Sequence, residues 1–460
     1  MILLQENFLN QSDNNLPPRI REPKLLQIFW GLLQQKDYLE TMAKRYGDIF
    51  IGEFAGFPSS VVISHPQGIQ EIFTADAKLF ATAPGNSIME PLVGTNSLLL
   101  LDGDRHIQRR KLLMPPFHGE RMRAYGNLMC DITDRVMSKL KVEQTFIARE
   151  SMQEISMTVI LKAVFGLQEG ERYEKIKIAL IDMLKSFNTP LKTMFLFLKV
   201  LQHDLGSLSP WGYFIRQREA LDKLIYQEIQ ERRNQPDSSR EDILNLLLSA
   251  RDDANQPMSD VELRDELMSM LFAGHETIAT ALSWALYWIH SLPEVRKKLL
   301  QELKSIDVER TESTEIAKLP YLNAVCSETL RMYPVVFFTQ VRILQTSMQV
   351  MGYEIPKGMM LTPCIYLAHH RPDIYPEPKK FKPERFLERQ FSPYEYLPFG
   401  GGNRRCLGMA FALFEMKLVL ATILSHYSFT LAESSPVLPA RRGLTFAPSS
   451  GVRLMVRGCQ

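Results

Sequence analysis

The stretch Phe399-Gly400-Gly401-Gly402-Asn403-Arg404-Arg405-Cys406-Leu407-Gly408 constrains this chain more than any other, because it sets a cysteine in a glycine loop directly before a long apolar run. The run Met409–Tyr427 predicts a helix. The thiol would then sit at a helix N-terminus, where free N–H groups and the macrodipole favour a thiolate. Gly400, Gly401 and Gly402 have no Cβ, so a flat group could approach the backbone closely. The N–H groups from Leu407 onward are placed to donate to the sulfur and tune a bound metal. The bland alternative is a structural cysteine beside a turn, which a lone cysteine would favour.

A thiolate in this setting suits the axial position of a haem iron, where it pushes electron density onto the metal. The pattern Phe-x-x-Gly-x-Arg-x-Cys-x-Gly is met at Phe399, Gly402, Arg404, Cys406 and Gly408. It resembles the haem-binding loop of the cytochrome P450 (haem-thiolate monooxygenase) superfamily. The resemblance implies haem b as cofactor, Cys406 as the iron ligand and Arg404 beside a haem propionate. It also implies a fold that is mainly α with a minor antiparallel β-sheet, a triangular prism holding haem between a central helix and the Cys-loop helix.

The 460 residues are long enough for several domains or for one large one, and the order of elements resembles a single P450 domain over 1–460. Lys plus Arg number 54 against 52 acids, a net +2 that gives no reason to expect nucleic acid. Cys130, Cys326, Cys364, Cys406 and Cys459 are widely spaced with no CxxC pair, so neither a disulfide framework nor a zinc site is suggested and a reducing compartment fits best. Met1–Leu4 is apolar but lacks the basic flank and length of a signal or anchor, so no transmembrane anchor is expected. Leu267–His290 is long and mostly apolar, yet His275, Glu276 and Thr277 in its middle favour a buried core helix over a membrane span. A soluble, cytoplasmic bacterial monomer is the expectation.

Along the chain, Tyr46–Ser64 alternates around Gly52, Gly56 and Pro58 and predicts a hairpin; His65–Phe73 predicts a short helix. Helical periodicity then dominates from His106 to Leu330. Ser259-x-x-Glu262 predicts a capping box opening the central helix, and Ser291-x-x-Glu294 another for the next. Leu322–Met332 reads as a helix, Gln340–Tyr353 as extended, and the Pro-rich Arg371–Pro398 as an irregular meander. Leu444–Phe446 and Val452–Val456 read as terminal strands, so the β-rich parts fall near 46–64, 340–365 and 444–457.

Ala273-Gly274-His275-Glu276-Thr277 lies mid-helix. Glycine there costs roughly 1 kcal/mol against alanine, and room for a small ligand is one reason to keep it. A hydroxyl (Thr277) next to a carboxylate (Glu276) can hold water and pass protons; alternatively Thr277 back-bonds to a carbonyl and Glu276 is a paired acid. The resemblance makes Thr277 and Glu276 the oxygen-activation pair, with Ile278 where the family often continues with a second threonine. His275 reads as a packed residue rather than a ligand. Glu328-x-x-Arg331 in apolar surroundings suggests a buried pair that needs further hydrogen bonds. The resemblance adds Arg385 to it, a structural network locking the meander behind the loop. It also makes Arg110, His106 (where the family often has tryptophan) and Arg342 further partners of the propionates.

By the same resemblance Ala273, Phe337, Phe338, Leu444 and Phe446, with Ile88–Leu92 and Ile181–Val200, line an apolar substrate pocket. Leu191–Val200 could be an entrance touching a membrane surface. No flavin or nicotinamide fingerprint follows the loop, so electrons are expected from a ferredoxin or flavodoxin with its reductase; Arg109, Lys111, Arg121, Arg123, Arg405 and Lys417 are either its docking face or an ordinary solvated charged surface. The implied activity is insertion of one atom of O2 into a C–H bond or double bond of an apolar substrate, a long-chain fatty acid or terpenoid in the finer resemblance to cyanobacterial enzymes. The alternatives are a peroxide-driven peroxygenase on the same fold, a non-catalytic haem sensor or lipid-binding protein, and a helical protein with a chance cysteine loop.

Overall fold

The computed structural model describes residues 15–459 apart from 55–56, 118, 168, 188–189, 199–200, 207–208, 238 and 309. Met1–Leu4, and Gly56 of the expected hairpin, lie outside the described residues.

The central helix, Asp260–Ser291, organises the molecule. Its start is the capping box read from the sequence: the Ser259 side chain accepts from Glu262 N, and Glu262 reaches back to the Ser259 N–H. From Leu263 onward most of its residues are buried, which explains an apolar run too evenly distributed to leave a solvent face. Against it pack the Ala148–Phe165 helix, which ends at Gly166 in the left-handed region, and the Met409–His426 helix after the cysteine loop. Met409–His426 is also the one helix among the described residues long and apolar enough to cross a membrane. That helix, rather than Leu267–His290, carries the span-like signal, and its buried side belongs to the core shared with the central helix.

The second expected capping box does not form. Ser291 is the last residue of the central helix and donates to the Tyr287 carbonyl, while Pro293 opens the next helix without a side-chain cap. Pro can hold that position because its missing N–H would be unsatisfied anyway.

The β-structure is distributed more widely than the sequence suggests. Strands β1 (Ile49–Gly52), β2 (Ser60–Ile63), β3 (Phe80–Ala81), β5 (Arg342–Leu344) and β8 (Met360–Pro363) form one sheet in the order β1-β2-β8-β5-β3. The β1–β2 hairpin is antiparallel in the register Ile49↔Ile63, but β2 pairs with β8 in parallel, so the sheet is mixed rather than purely antiparallel. Strands β4 (Thr145–Ile147), β9 (Tyr427–Leu431) and β12 (Arg453–Cys459) form a second sheet, and β6 (Met348–Val350) with β7 (Tyr353–Ile355) a small pair. β10 (Pro439–Arg442) and β11 (Thr445–Pro448) make a hairpin. The central helix fixes it: Trp284 Nε1 donates to the Phe446 carbonyl at 3.0 Å.

Behind the loop lies the meander 371–398, held by a buried ion network. Arg331 donates to both Glu328 oxygens at 2.6 and 2.8 Å and to the His369 carbonyl at 2.8 Å. Arg385 Nε and the Lys382 N–H both donate to Glu328 Oε1. Glu328 and Arg331 are wholly buried, and every strong acceptor of the carboxylate is used, as a buried charge pair requires.

Candidate active site

A cavity of about 570 Å³ lies between the central helix and the cysteine loop. Cys406, Phe399 and Gly408 lie on its wall from the loop side; Ala273, Gly274 and Thr277 lie on it from the helix side. Cys406 keeps free surface although protein surrounds it, because that surface is cavity wall. Its N–H donates to the Phe399 carbonyl at 2.9 Å, which closes the loop.

Burial pushes the Cys406 thiol up, while the Gly408 N–H, Arg110 and Arg405 pull it down without reversing the shift. These neighbouring groups by themselves do not deliver the lowered thiol expected from the sequence. A coordinated metal would do so, since a ligating thiol is deprotonated outright.

The glycines do a different job from the one anticipated. A Cβ on Gly401 would lie 2.2 Å from the Phe73 ring, and Gly402 (φ +63°) would place one 3.0 Å from the Phe73 carbonyl oxygen. These two residues make room for Phe73 and the turn, and Gly402 is not on the cavity wall; Gly400 (φ +67°) is. Gly274 lies on the wall, but a Cβ there would meet Ile160 at 2.8 Å. Its absence lets the Ala148–Phe165 helix approach the central helix.

Thr277 Oγ1 donates to the Ala273 carbonyl at 2.6 Å, leaving its lone pairs to accept on the cavity side. Glu276, one residue earlier, points elsewhere. Its carboxylate accepts from Arg149 Nη2 and, at 2.8 Å, from Gln153 Nε2, and it is not on the cavity wall. The expected hydroxyl–carboxylate pair is thus adjacent in sequence but divided between two faces of the helix. His275 is packed, with Nδ1 3.2 Å from the Leu271 carbonyl, as a non-ligand.

Three of the four expected propionate partners reach the cavity. Arg110 lies on the wall with no carboxylate partner among the described residues; burial depresses its pKa, Cys406 opposing and Arg405 adding. His106 is buried on the wall, held down to about 3 by burial, then by Arg404 and Arg110, so it is neutral at neutral pH. Arg404 also lies there, pushed down to about 10 by burial, but it is shared: it donates to the Leu101 carbonyl at 2.7 Å and to Asp102, whose carboxylate accepts the N–H groups of Thr82 and Ala83. Asp102 carried no signal in the sequence beyond its place before Gly103. Arg342 is the exception. It sits behind the loop, stacks over Phe73 at 4.9 Å and donates to the Gly401 carbonyl at 3.0 Å, so it clamps the loop instead of facing the cavity.

A flat, mainly apolar group with acidic substituents fits this wall. It has a thiol on one side, the Arg110 guanidinium without a carboxylate partner among the described residues and a neutral imidazole on the wall, and the central helix opposite.

The expected apolar wall is present. Phe337, Phe338, Leu444 and Phe446 line the cavity, and Phe446 stacks on Phe337 at 3.8 Å. Ile88 lines it but Leu92 does not, and among the described residues of 181–200 only Phe197 does. Leu196 and Phe197 are buried, whereas exposed apolar side chains include Leu201 and Leu205 just beyond this stretch and Leu25, Leu26, Phe29 and Trp30 on the Lys24–Leu33 helix. Residues 199–200 of the expected entrance lie outside the described residues. Of the expected docking residues, Arg109 is buried against Glu262 and Glu266, whereas Lys111 and Arg123 are exposed beside Asp253 and Glu312, and Arg405 is exposed.

The family model described as Cytochrome P450 matches residues 18–453. Cytochrome P450 135B1 of Mycobacterium tuberculosis is 34% identical over 447 residues, covering 97% of this chain and 92% of its own. Cytochrome P450 138 of the same species is 32% identical over 446 residues, 96% of each chain. Among solved structures, the retinoic acid-bound cyanobacterial CYP120A1 superposes with a TM-score of 0.84 at 28% identity, covering 96% of this chain and 99% of that one. The haem domain of cytochrome P450DA does so with a TM-score of 0.82 at 20% identity, over 97% and 98%, a likeness of fold.

Proposed function

The chain belongs to the cytochrome P450 family, and on that premise we propose which of its residues carry the reaction. The protein is a haem-thiolate monooxygenase, and family members bind haem b through a cysteine thiolate. We assign that thiolate to Cys406. The observation that carries the assignment is its place on the wall of an apolar cavity beside Arg110, a guanidinium with no carboxylate partner among the described residues. When bound, the haem supplies the oxygen chemistry, with the thiolate favouring O–O cleavage.

The chain's own residues do the rest. Arg110, Arg404 and His106 hold the propionates, Arg404 through a guanidinium it shares with Asp102. Arg342, Phe399 and Gly402 keep the loop in shape, and the Gly408 N–H tempers the charge on sulfur. Thr277 positions water at the cavity: its own hydrogen is engaged by Ala273, so its oxygen accepts a hydrogen bond from a water that can carry the proton. Glu276 is the acid behind it and has to leave Arg149 to reach the cavity side. Glu328, Arg331 and Arg385 hold the meander against the loop and take no part in the chemistry.

The substrate is an apolar small molecule, a long-chain fatty acid or terpenoid, hydroxylated or epoxidised against a wall of Ala273, Phe337, Phe338, Leu444 and Phe446. The cyanobacterial relative solved with retinoic acid supports an elongated apolar ligand. Two electrons come from an external ferredoxin or flavodoxin with its reductase, in a bacterial cytoplasmic setting where the enzyme works as a monomer. Turnover of the holoenzyme under isotope-labelled O2 with reduced ferredoxin tests this reading. One labelled oxygen in the product is expected; product formed only with hydrogen peroxide contradicts it.

A further inference from the structure

The cavity has a further cation that the haem reading leaves unused. Arg441, on β10, lies on the same wall as Cys406 and Thr277. It pairs across the hairpin with Phe446, and its guanidinium lies over the rings of Phe446 (5.5 Å) and Phe197 (5.7 Å). Nη2 donates to Gln35 Oε1 at 3.2 Å, but Nε is buried without a hydrogen-bond partner. No carboxylate among the described residues pairs with it. Burial alone pushes its pKa down, to about 10, so the group stays charged at neutral pH.

An unpaired buried guanidinium is costly, and one amide oxygen with two aromatic faces lowers that cost without neutralising the charge. The group stays in place at least expense if an anion joins it. The other wall cations, Arg110, Arg404 and Arg405, lie on or beside the cysteine loop, whereas Arg441 neighbours Phe197, Phe446 and Gln35. Glu266, the acid on the wall, is already paired with Arg109. A single planar fork with one free edge matches a monoanionic carboxylate, which it can hold through two parallel hydrogen bonds.

We propose that Arg441 is the substrate anchor of this pocket and that the substrate is an elongated apolar carboxylic acid, bound through its carboxylate. This rests on the monooxygenase reading above and narrows its substrate class to acids. With the acid end held at Arg441, the chain runs past the Phe337–Phe446 stack toward Thr277, so the anchor sets which carbon is oxidised.

Titration of the haem band of the holoenzyme tests this with matched probes: hexadecanoic acid against hexadecan-1-ol and methyl hexadecanoate, and abietic acid against abietol. The wild type should bind at least one acid about tenfold tighter than its own alcohol. Arg441→Gln should lose that preference with alcohol binding unchanged, and Arg441→Lys should keep part of it. The wild-type comparison needs no variant to fold. No acid preferred over its alcohol, no acid bound at all, or a preference that survives in Arg441→Gln overturns the proposal. A wild-type holoenzyme lacking the thiolate carbonyl spectrum would instead overturn the haem assignment, so the two failures are distinguishable.

Discussion

Arg149 and Glu276 form an ion pair on a face of the central helix turned away from the cavity, one residue before Thr277. The pair separates two roles that adjoining residues would otherwise share. Because Glu276 does not touch the pocket, Glu276→Gln should leave substrate affinity unchanged and lower kcat by about a hundredfold, the scale of a lost proton-transfer group. Steady-state kinetics with substrate titration check this; weakened binding with unchanged kcat would place the carboxylate in the pocket instead.

Thr277 stands on the cavity wall with its proton committed to Ala273. Thr277→Ala should still bind substrate but divert electrons to hydrogen peroxide, and Thr277→Ser should keep most of the coupling. The ratio of product formed to electrons consumed measures it. Equal coupling in Thr277→Ala and the wild type would remove the hydroxyl from the proton path.

The Glu328 carboxylate accepts from Arg331, Arg385 and the Lys382 N–H with no exposure to water. Glu328→Ala leaves buried guanidinium groups without an anion, which costs about 3–5 kcal/mol. The variant should lose haem on purification and unfold at lower urea. Unchanged haem content and midpoint would mean that the network is dispensable.

Glu415, on the Met409–His426 helix, is buried with Ser156 donating to it at 2.9 Å, and burial pushes its pKa up to about 8. The native state therefore holds a proton that the unfolded chain gives up in the usual carboxylate range. Stability is full below that range and falls as pH rises toward about 8. Glu266, raised to about 7, adds a slope of the same sign. Glu415→Gln keeps an acceptor for Ser156 and removes the titration, so urea midpoints should fall less between mildly acidic pH and pH 8 than in the wild type. Identical slopes would show that Glu415 is ionised in the native protein.

The parts that local chemistry dictates were legible in the sequence. Ser259 and Glu262 form their box, the cysteine loop precedes its helix, and Glu328 meets Arg331, while Arg385 joining them was implied by the family resemblance alone. Partnerships made by tertiary approach were not. Nothing near Arg342 announces that Phe73 will stack on it, nor near Gly274 that Ile160 will occupy its missing side chain's place. Asp102 on Arg404, and Arg441 on the cavity wall, depend on segments hundreds of residues apart. Ser291 has the residues of a capping box, but the preceding helix runs on through it and claims its hydroxyl. Short strands such as β3 and β4 pair with distant partners and carry too few residues for a period to show.

The most direct test is the carbon monoxide difference spectrum of the reduced protein, wild type against Cys406→Ser. The wild type should give the long-wavelength carbonyl band of a thiolate-ligated haem, and the variant should lose it even where haem is retained. A variant that keeps the band would contradict the assignment of Cys406 as the ligand.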